Sequence, residues 1–192
     1  GLFSSLLLPS SKSTQLNIAA IPFVQSIFEL GYNSEESLWS FLENEDYKQS
    51  IKLLEKLTDQ RPSPEREYDQ FTATIETTAK RISLLSFLED IQEKRLLFLG
   101  DDDFTSVACA NLGRAKEVVV LDIDERILKN IRNISKNRSL GIETLKYDAR
   151  QKPPKELIGK FDVIFTDPPY TPKGIELFVS RAIQLLDRDN KA

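Results

Sequence analysis

LFLGDDDFTS, residues 97–106, sets an apolar run directly before a glycine and a helix-forming stretch just after it. A strand that ends in Gly100 and turns into a helix is the first βα unit expected of a nucleotide-binding sheet. Such turns usually carry two or three glycines, because a backbone that closely approaches a nucleotide has no room for side chains. Here Gly100 is followed by Asp101, Asp102 and Asp103. The pattern predicts the strand and the helix, and the three carboxylates call for a ligand of another charge.

Outward from this stretch, the chain alternates with a regular period from residue 95. RLLFLG (95–100) is followed by a helix over 104–112, and EVVVLDID (117–124) by a helix over 125–137. IETLKYD (142–148) leads to a short proline-started helix near 154–158, then FDVIFTD (161–167) to a helix over 173–186. Apolar strands alternating with helices predict a parallel sheet with right-handed crossovers. The expected fold class is α/β, half of a doubly wound, Rossmann-like sheet that stops before its remaining strands.

Upstream, residues 1–14 read as a loose lead-in, and residues from about 15 to 60 as helical. Ile21, Val24, Ile27 and Phe28 share a face, as do Leu38, Phe41 and Leu42, then Ile51, Leu53, Leu54 and Leu57. Ser34 is the expected N-cap of a helix that carries Trp39. A small docking bundle fits this pattern better than a DNA-reading helix-turn-helix, because residues 33–46 are acidic. RPSPEREYDQF (61–71) is a charged, proline-bearing connector, and TATIETTAKRISLLSFLED (72–90) a lead-in helix. The predicted division is a helical region over 1–60, a connector with the start of the lead-in helix over 61–80, and the sheet domain over 81–192.

Bulk composition narrows the function. The 192 residues, 40% hydrophobic and 29% charged, describe a globular chain. Thirty acids against 26 bases, with no histidine, give a charge of −4, which opposes nucleic-acid or anionic-membrane binding and favours a cationic ligand. Cys109 is the one cysteine, so neither an internal disulfide nor a thiolate metal site is expected, and the lack of histidine removes the usual zinc sets. No metal is therefore expected. GLFSSLLLPSSKS lacks the basic start and core length of a signal peptide, and no run is long enough to span a membrane, so a cytoplasmic location is expected. With no methionine even at residue 1, the sequence is expected to be a fragment, a trimmed form, or one whose modified methionines went unwritten.

The four strand ends read GDDD, LDID, YDAR and TDPPY. In an open parallel sheet, ligands bind at these carboxyl ends. Asp103 and Asp124 could each be an N-cap of the next helix, but six or more carboxylates around one crevice would repel one another unless a cation held them. Asp122 lies 22 residues beyond Gly100, near the spacing of an acid that accepts from ribose hydroxyls. Asp148 could accept from an adenine amine. Without a lysine-bearing phosphate loop or a glycine-rich cradle, the nucleoside expected is an adenosine without phosphates, as in a sulfonium such as S-adenosylmethionine or a relative. In TDPPY (166–170) two prolines would hold Asp167 and Tyr170 rigidly toward the crevice.

Taken in order, REYDQF, TIETTAKR, LFLGDDDFTSVA, VVVLDIDER and FDVIFTDPPYT resemble the branched-chain polyamine synthases, also called bis(aminopropyl)spermidine synthases, from about residue 61 to 186. The winged-helix-like domain and cysteine pair usual before their connector have no evident counterpart in residues 1–60. The resemblance implies a Rossmann-like transferase that moves an aminopropyl group from decarboxylated S-adenosylmethionine to the secondary amine of spermidine. On this reading Gly100, Asp101, Asp103, Asp122 and Asp148 hold the adenosyl co-substrate. Asp102, Asp167, Pro168 and Tyr170 hold the polyamine, with Asp167 the expected proton acceptor and Asp102 its rival. The charge logic agrees: a carboxylate about 4 Å from an aspartate costs roughly 4 kcal/mol at an effective dielectric near 20, whereas ammonium and sulfonium groups are attracted. An amine methyltransferase using intact S-adenosylmethionine on nucleic acid or protein is the alternative, and a non-catalytic ligand-binding module the second. A homo-oligomer is left open.

Overall fold

A computed structural model of the chain describes residues 7–9, 14–16, 42–68 and 70–187. Contacts divide it into two units, residues 1–42 and 43–192. In the first, β1 (Leu7–Pro9) and β2 (Thr14–Leu16) pair antiparallel, with Leu7 opposite Leu16. The lead-in predicted to be loose therefore contains a strand, with the turn-forming composition SSKS between the two partners. The helices expected around Ile21, Phe28 and Trp39, with the Ser34 cap, lie outside the described residues.

The second unit begins with α1 (Glu45–Glu55), capped by Asn44, whose side chain accepts from the Tyr47 amide at 3.1 Å. A 3-10 turn at Arg66–Tyr68 lies in the connector, followed by α2 (Ile75–Phe87), capped by Thr74. Then the alternation read from the sequence unfolds as β3 (Arg95–Leu99), α3 (Thr105–Asn111), β4 (Glu117–Asp122), α4 (Glu125–Arg138) and β5 (Ile142–Lys146). A 3-10 turn at Lys155–Leu157, β6 (Val163–Thr166) and α5 (Pro172–Leu185) complete it. The short helix expected near 154–158 is thus a single 3-10 turn.

All four strands of this sheet are parallel, in the order β5-β4-β3-β6, with Leu97 opposite Val119 on one side and Ile164 on the other. Successive side chains point to opposite faces, and both faces are covered. Leu96, Phe98, Val118 and Val120 join one core with Leu53, Leu54, Ile82, Val107 and Ile131; Leu97, Leu99, Val119 and Leu121 join the other with Phe161 and Leu185. With apolar residues filling both faces, polar groups collect at the strand ends. The chain winds β3, β4, β5 in one direction and then places β6 on the far side of β3. The switch point therefore falls between the ends of β3 and β6, where GDDD and TDPPY emerge.

One predicted boundary is corrected. The contacts divide the chain after Leu42, not near residue 60, because Leu53, Leu54 and Leu57 are buried in the same core as Leu96 and Phe98. An amphipathic helix shows that it has an apolar face but not which surface receives it. Leu54→Ala is expected to lower the stability of the entire unit by about 2–5 kcal/mol in one cooperative denaturant transition. A separate, earlier transition would mean that α1 folds apart from the sheet.

Candidate active site

Gly100 ends β3 with φ at +77°, a left-handed conformation that costs a residue without a Cβ nothing. Its amide donates to the Leu121 carbonyl at 2.8 Å, the last bond of the β3–β4 ladder. Beyond it the three aspartates diverge. Asp101 turns inward, only 3% exposed, and accepts from the Ser106 amide and hydroxyl. Burial pushes its carboxyl well above the ordinary range. Asp103 turns the other way, toward α2 and the connector, accepting from the Ala73 amide at 2.6 Å and from Arg81 at 2.7 Å. The structure does not place it on the cavity, nor does it cap α3: Phe104 does, in a left-handed conformation without a side-chain bond. Asp102 is left on the cavity wall, and burial, then the neighbouring Asp103 and Asp122 charges, raise its carboxyl to about 6.

At the end of β4, Asp122 accepts from the Asp101 amide at 2.9 Å and the Asp124 amide at 2.8 Å. It is buried, and that burial raises its pKa. Asp124 caps α4, as one sequence reading had it, accepting from the Arg126 amide at 2.9 Å. Burial raises its pKa, but bonds from Arg126 and Gln70 outweigh it, so the net shift is downward. Asp148, at the end of β5, is held by Arg150 at 2.7 Å, and those bonds lower its pKa. At the end of β6, Asp167 accepts from the Tyr170 hydroxyl at 2.8 Å and from Arg81.

The repulsion expected of clustered carboxylates is therefore relieved in part by the protein itself. Arginines hold Asp103, Asp124, Asp148 and Asp167. Asp101, Asp102 and Asp122 make no ion pair among the described residues. The crevice at the switch point encloses about 500 Å³ and is lined by Gly100, Asp101, Asp102, Asp122, Asp148 and Asp167, with Pro168 and Tyr170. That size suits a small organic ligand. All the residues expected from sequence line it, except Asp103.

Several site residues escaped the sequence reading. Glu67, Gln70 and Phe71 of the connector form one wall, and Phe71 is 76% exposed there, as Tyr170 is 79% exposed at the TDPPY turn. Arg61 pins the connector down, donating to the carbonyls of Ala73 and Asp103 while lying 5.8 Å over the Phe104 ring. Gly174, in the first turn of α5, lets that turn approach TDPPY: a Cβ there would lie 2.7 Å from the Pro169 carbonyl oxygen. Glu67, Gln70 and Phe71 lie in the REYDQF motif, which gives them no individual role, and for Arg61 the signal was that so many acids must have cationic partners somewhere. Among the described residues, no three His, Cys, Asp or Glu side chains are grouped to hold a metal, and no helix is long and apolar enough to cross a membrane.

The parallel order, the switch-point crevice and the acidic strand ends define a Rossmann-like fold of the methyltransferase type. Residues 50–192 match the family described as branched-chain polyamine synthase A C-terminal domain, and the chain belongs to that family. An uncharacterised protein of Methanocaldococcus jannaschii is 46% identical over 132 residues, covering 69% of this chain and 34% of its own. The N(4)-bis(aminopropyl)spermidine synthase of Thermococcus kodakarensis is 37% identical over 146 residues, 76% of this chain and 42% of its own. The crystal structure of the Thermus thermophilus branched-chain polyamine synthase, in complex with N4-aminopropylspermidine and 5'-methylthioadenosine, superposes with a TM-score of 0.72 at 28% identity. It covers 97% of this chain and 53% of its own. The chain thus spans about a third to a half of the length of these relatives.

An acid whose folded pKa is raised loses stability as pH rises from its unfolded value, about 3.9, through its folded value. For Asp102 that window runs from about 4 to about 6. Asp102→Asn is accordingly expected to raise the melting temperature at pH 8 and to change it little below about pH 4. Melting curves at both pH values check this; equal effects at both would place Asp102 in an ordinary solvated environment.

Proposed function

We propose that the protein to which this chain belongs transfers an aminopropyl group from decarboxylated S-adenosylmethionine to an amine of a spermidine-type polyamine, giving a branched product. The carrying observation is the crevice wall of Asp101, Asp102 and Asp122, three carboxyl groups with no ion pair among the described residues. The Thermococcus relative is named as an N(4)-bis(aminopropyl)spermidine synthase, and the Thermus structure is a complex with N4-aminopropylspermidine and 5'-methylthioadenosine.

The residues fit the adenosyl co-substrate. The Asp101 and Asp124 amides donate one to each Asp122 oxygen, and the Ile123 amide bonds the carboxyl as well; a carboxylate has about four lone-pair sites, which leaves one for a ribose hydroxyl. For Asp148, which lines the crevice while Arg150 holds both its oxygens, the assigned role is to accept from the adenine amine through a remaining lone pair. Decarboxylated S-adenosylmethionine, when bound, supplies an alkyl carbon activated by a sulfonium and carries an ammonium where its parent carries an amino acid group. Acids on the wall attract both positive groups and repel a carboxylate. The same charge receives a polyamine, and Tyr170 offers a ring face to a methylene stem or an ammonium.

In the transfer a nitrogen attacks that carbon, the carbon–sulfur bond breaks, and the sulfur leaves with the bonding pair as a neutral thioether. The attacking nitrogen must lose a proton, and an amine with a pKa near 10 holds it at neutral pH. A carboxylate at the reacting atoms can take it. Asp167 came first in the sequence expectation, yet both its oxygens are engaged, one by Tyr170 and one by Arg81. Asp102 has neither constraint and a carboxyl raised to about 6, closer to the working pH, where a general base is most effective. We assign it the proton.

The test uses the full chain with spermidine and either decarboxylated or intact S-adenosylmethionine, with products read by mass spectrometry. The decarboxylated form is expected to bind at least tenfold more tightly, about 1.4 kcal/mol, and to yield the aminopropylated product. Asp102→Asn is expected to lower turnover by about 10²–10⁴-fold, and Asp167→Asn by less. Methyl transfer from the intact form would contradict the assignment.

A further inference from the structure

Arg81 lies on α2, 22 residues from Asp103 and 86 from Asp167, yet its guanidinium joins both. One terminal nitrogen donates to Asp103 beyond β3 at 2.7 Å, the other to Asp167 beyond β6, and the plane sits 5.7 Å over the Phe165 ring on β6. Its side chain is only 20% exposed. The two turns it joins flank the switch point and carry the proposed proton acceptor on one side and TDPPY on the other. A planar, permanently charged fork can bridge two carboxylates; an ammonium is a point charge and cannot hold the same geometry.

We infer that Arg81 is a positioning residue that clamps the β3 and β6 turns at a fixed separation and sets the charge around Asp102, leaving Asp102 as the carboxylate available to the attacking amine. This rests on the aminopropyl-transfer reading above and adds to it a residue that touches no substrate. Asp103 on its own turn, Asp122 at the end of β4 and Asp167 at the end of β6 face Asp102 with negative charge; Arg61 from the connector acts on it with positive charge, and Arg81 from α2 neutralises Asp103 and Asp167. Removing Arg81 leaves the acids uncompensated, so the Asp102 proton should bind more tightly. It also frees the TDPPY turn from its anchor to α2.

The experiment compares the parent full chain with Arg81→Gln and Arg81→Lys. Carboxyl carbon NMR follows the titration of Asp102, and steady-state kinetics with decarboxylated S-adenosylmethionine follow kcat, the acceptor KM and the acid limb of kcat. For Arg81→Gln the Asp102 midpoint is expected to rise by about one unit, with the acid limb moving in step, as loss of a nearby opposite charge requires. Its kcat should fall about tenfold or more while the acceptor KM stays within about threefold, because positioning is lost and binding charge is not. Arg81→Lys should return the midpoint near the parent value but recover only part of kcat. An unmoved midpoint in Arg81→Gln together with kcat within twofold of the parent would overturn the inference. If Arg81→Gln does not fold, Arg81→Lys decides it, full kcat being the contrary result. If the parent shows no aminopropyl transfer, the function is wrong, while the titration still decides whether Arg81 governs Asp102.

Discussion

Everything at the strand ends is arranged around mutual repulsion among carboxylates. Seven aspartates, 101–103, 122, 124, 148 and 167, emerge from four adjacent strands. Like charges this close disfavour one another's ionisation, and burial adds to the penalty. The structure divides them. Asp103, Asp124, Asp148 and Asp167 receive three arginines: Arg126 and Arg150 from the helix or turn beside Asp124 and Asp148, and Arg81 from α2 for Asp103 and Asp167. Asp101, Asp102 and Asp122 receive hydrogen bonds but no arginine, and all three are raised in pKa by burial. A site held in that state gains most from a ligand that brings positive charge, and that is the physical content of the proposed chemistry.

The fold creates this constraint. Strands buried on both faces must be apolar, so the first polar residue beyond each strand marks its carboxyl end. The winding order then brings β3 and β6 side by side at the switch point. Gly100 releases the chain into the turn, while Gly174 and the Thr171 cap allow α5 to start close beneath TDPPY. The connector closes the last side, pinned by Arg61 and Gln70.

Legibility from sequence followed the range of the interactions. β3 to β6 and their helices were readable because apolar runs and turn residues are local signals. The crevice was readable too, since strand ends in a parallel sheet must meet on one edge. Partner assignment was not. Arg126 and Arg150 sit two residues from their aspartates and could have been foreseen, but Arg81 and Arg61 reach theirs from the lead-in helix and connector. That is why Asp103 was expected on the cavity and Asp167 was ranked before Asp102. Likewise Leu53, Leu54 and Leu57 announced an apolar face without revealing that α2 and α3 would cover it and join it to the core beneath the sheet.

On the proposed function, uncompensated carboxylates, Asp102 foremost, form the cation-binding wall of this crevice. Calorimetry of spermidine binding to the full chain between pH 5 and pH 7 tests this, since the amines stay charged throughout that range. Affinity should weaken as pH falls through about 6, where Asp102 takes up its proton, and Asp102→Asn should flatten the profile. Affinity independent of pH in the parent chain would contradict the claim.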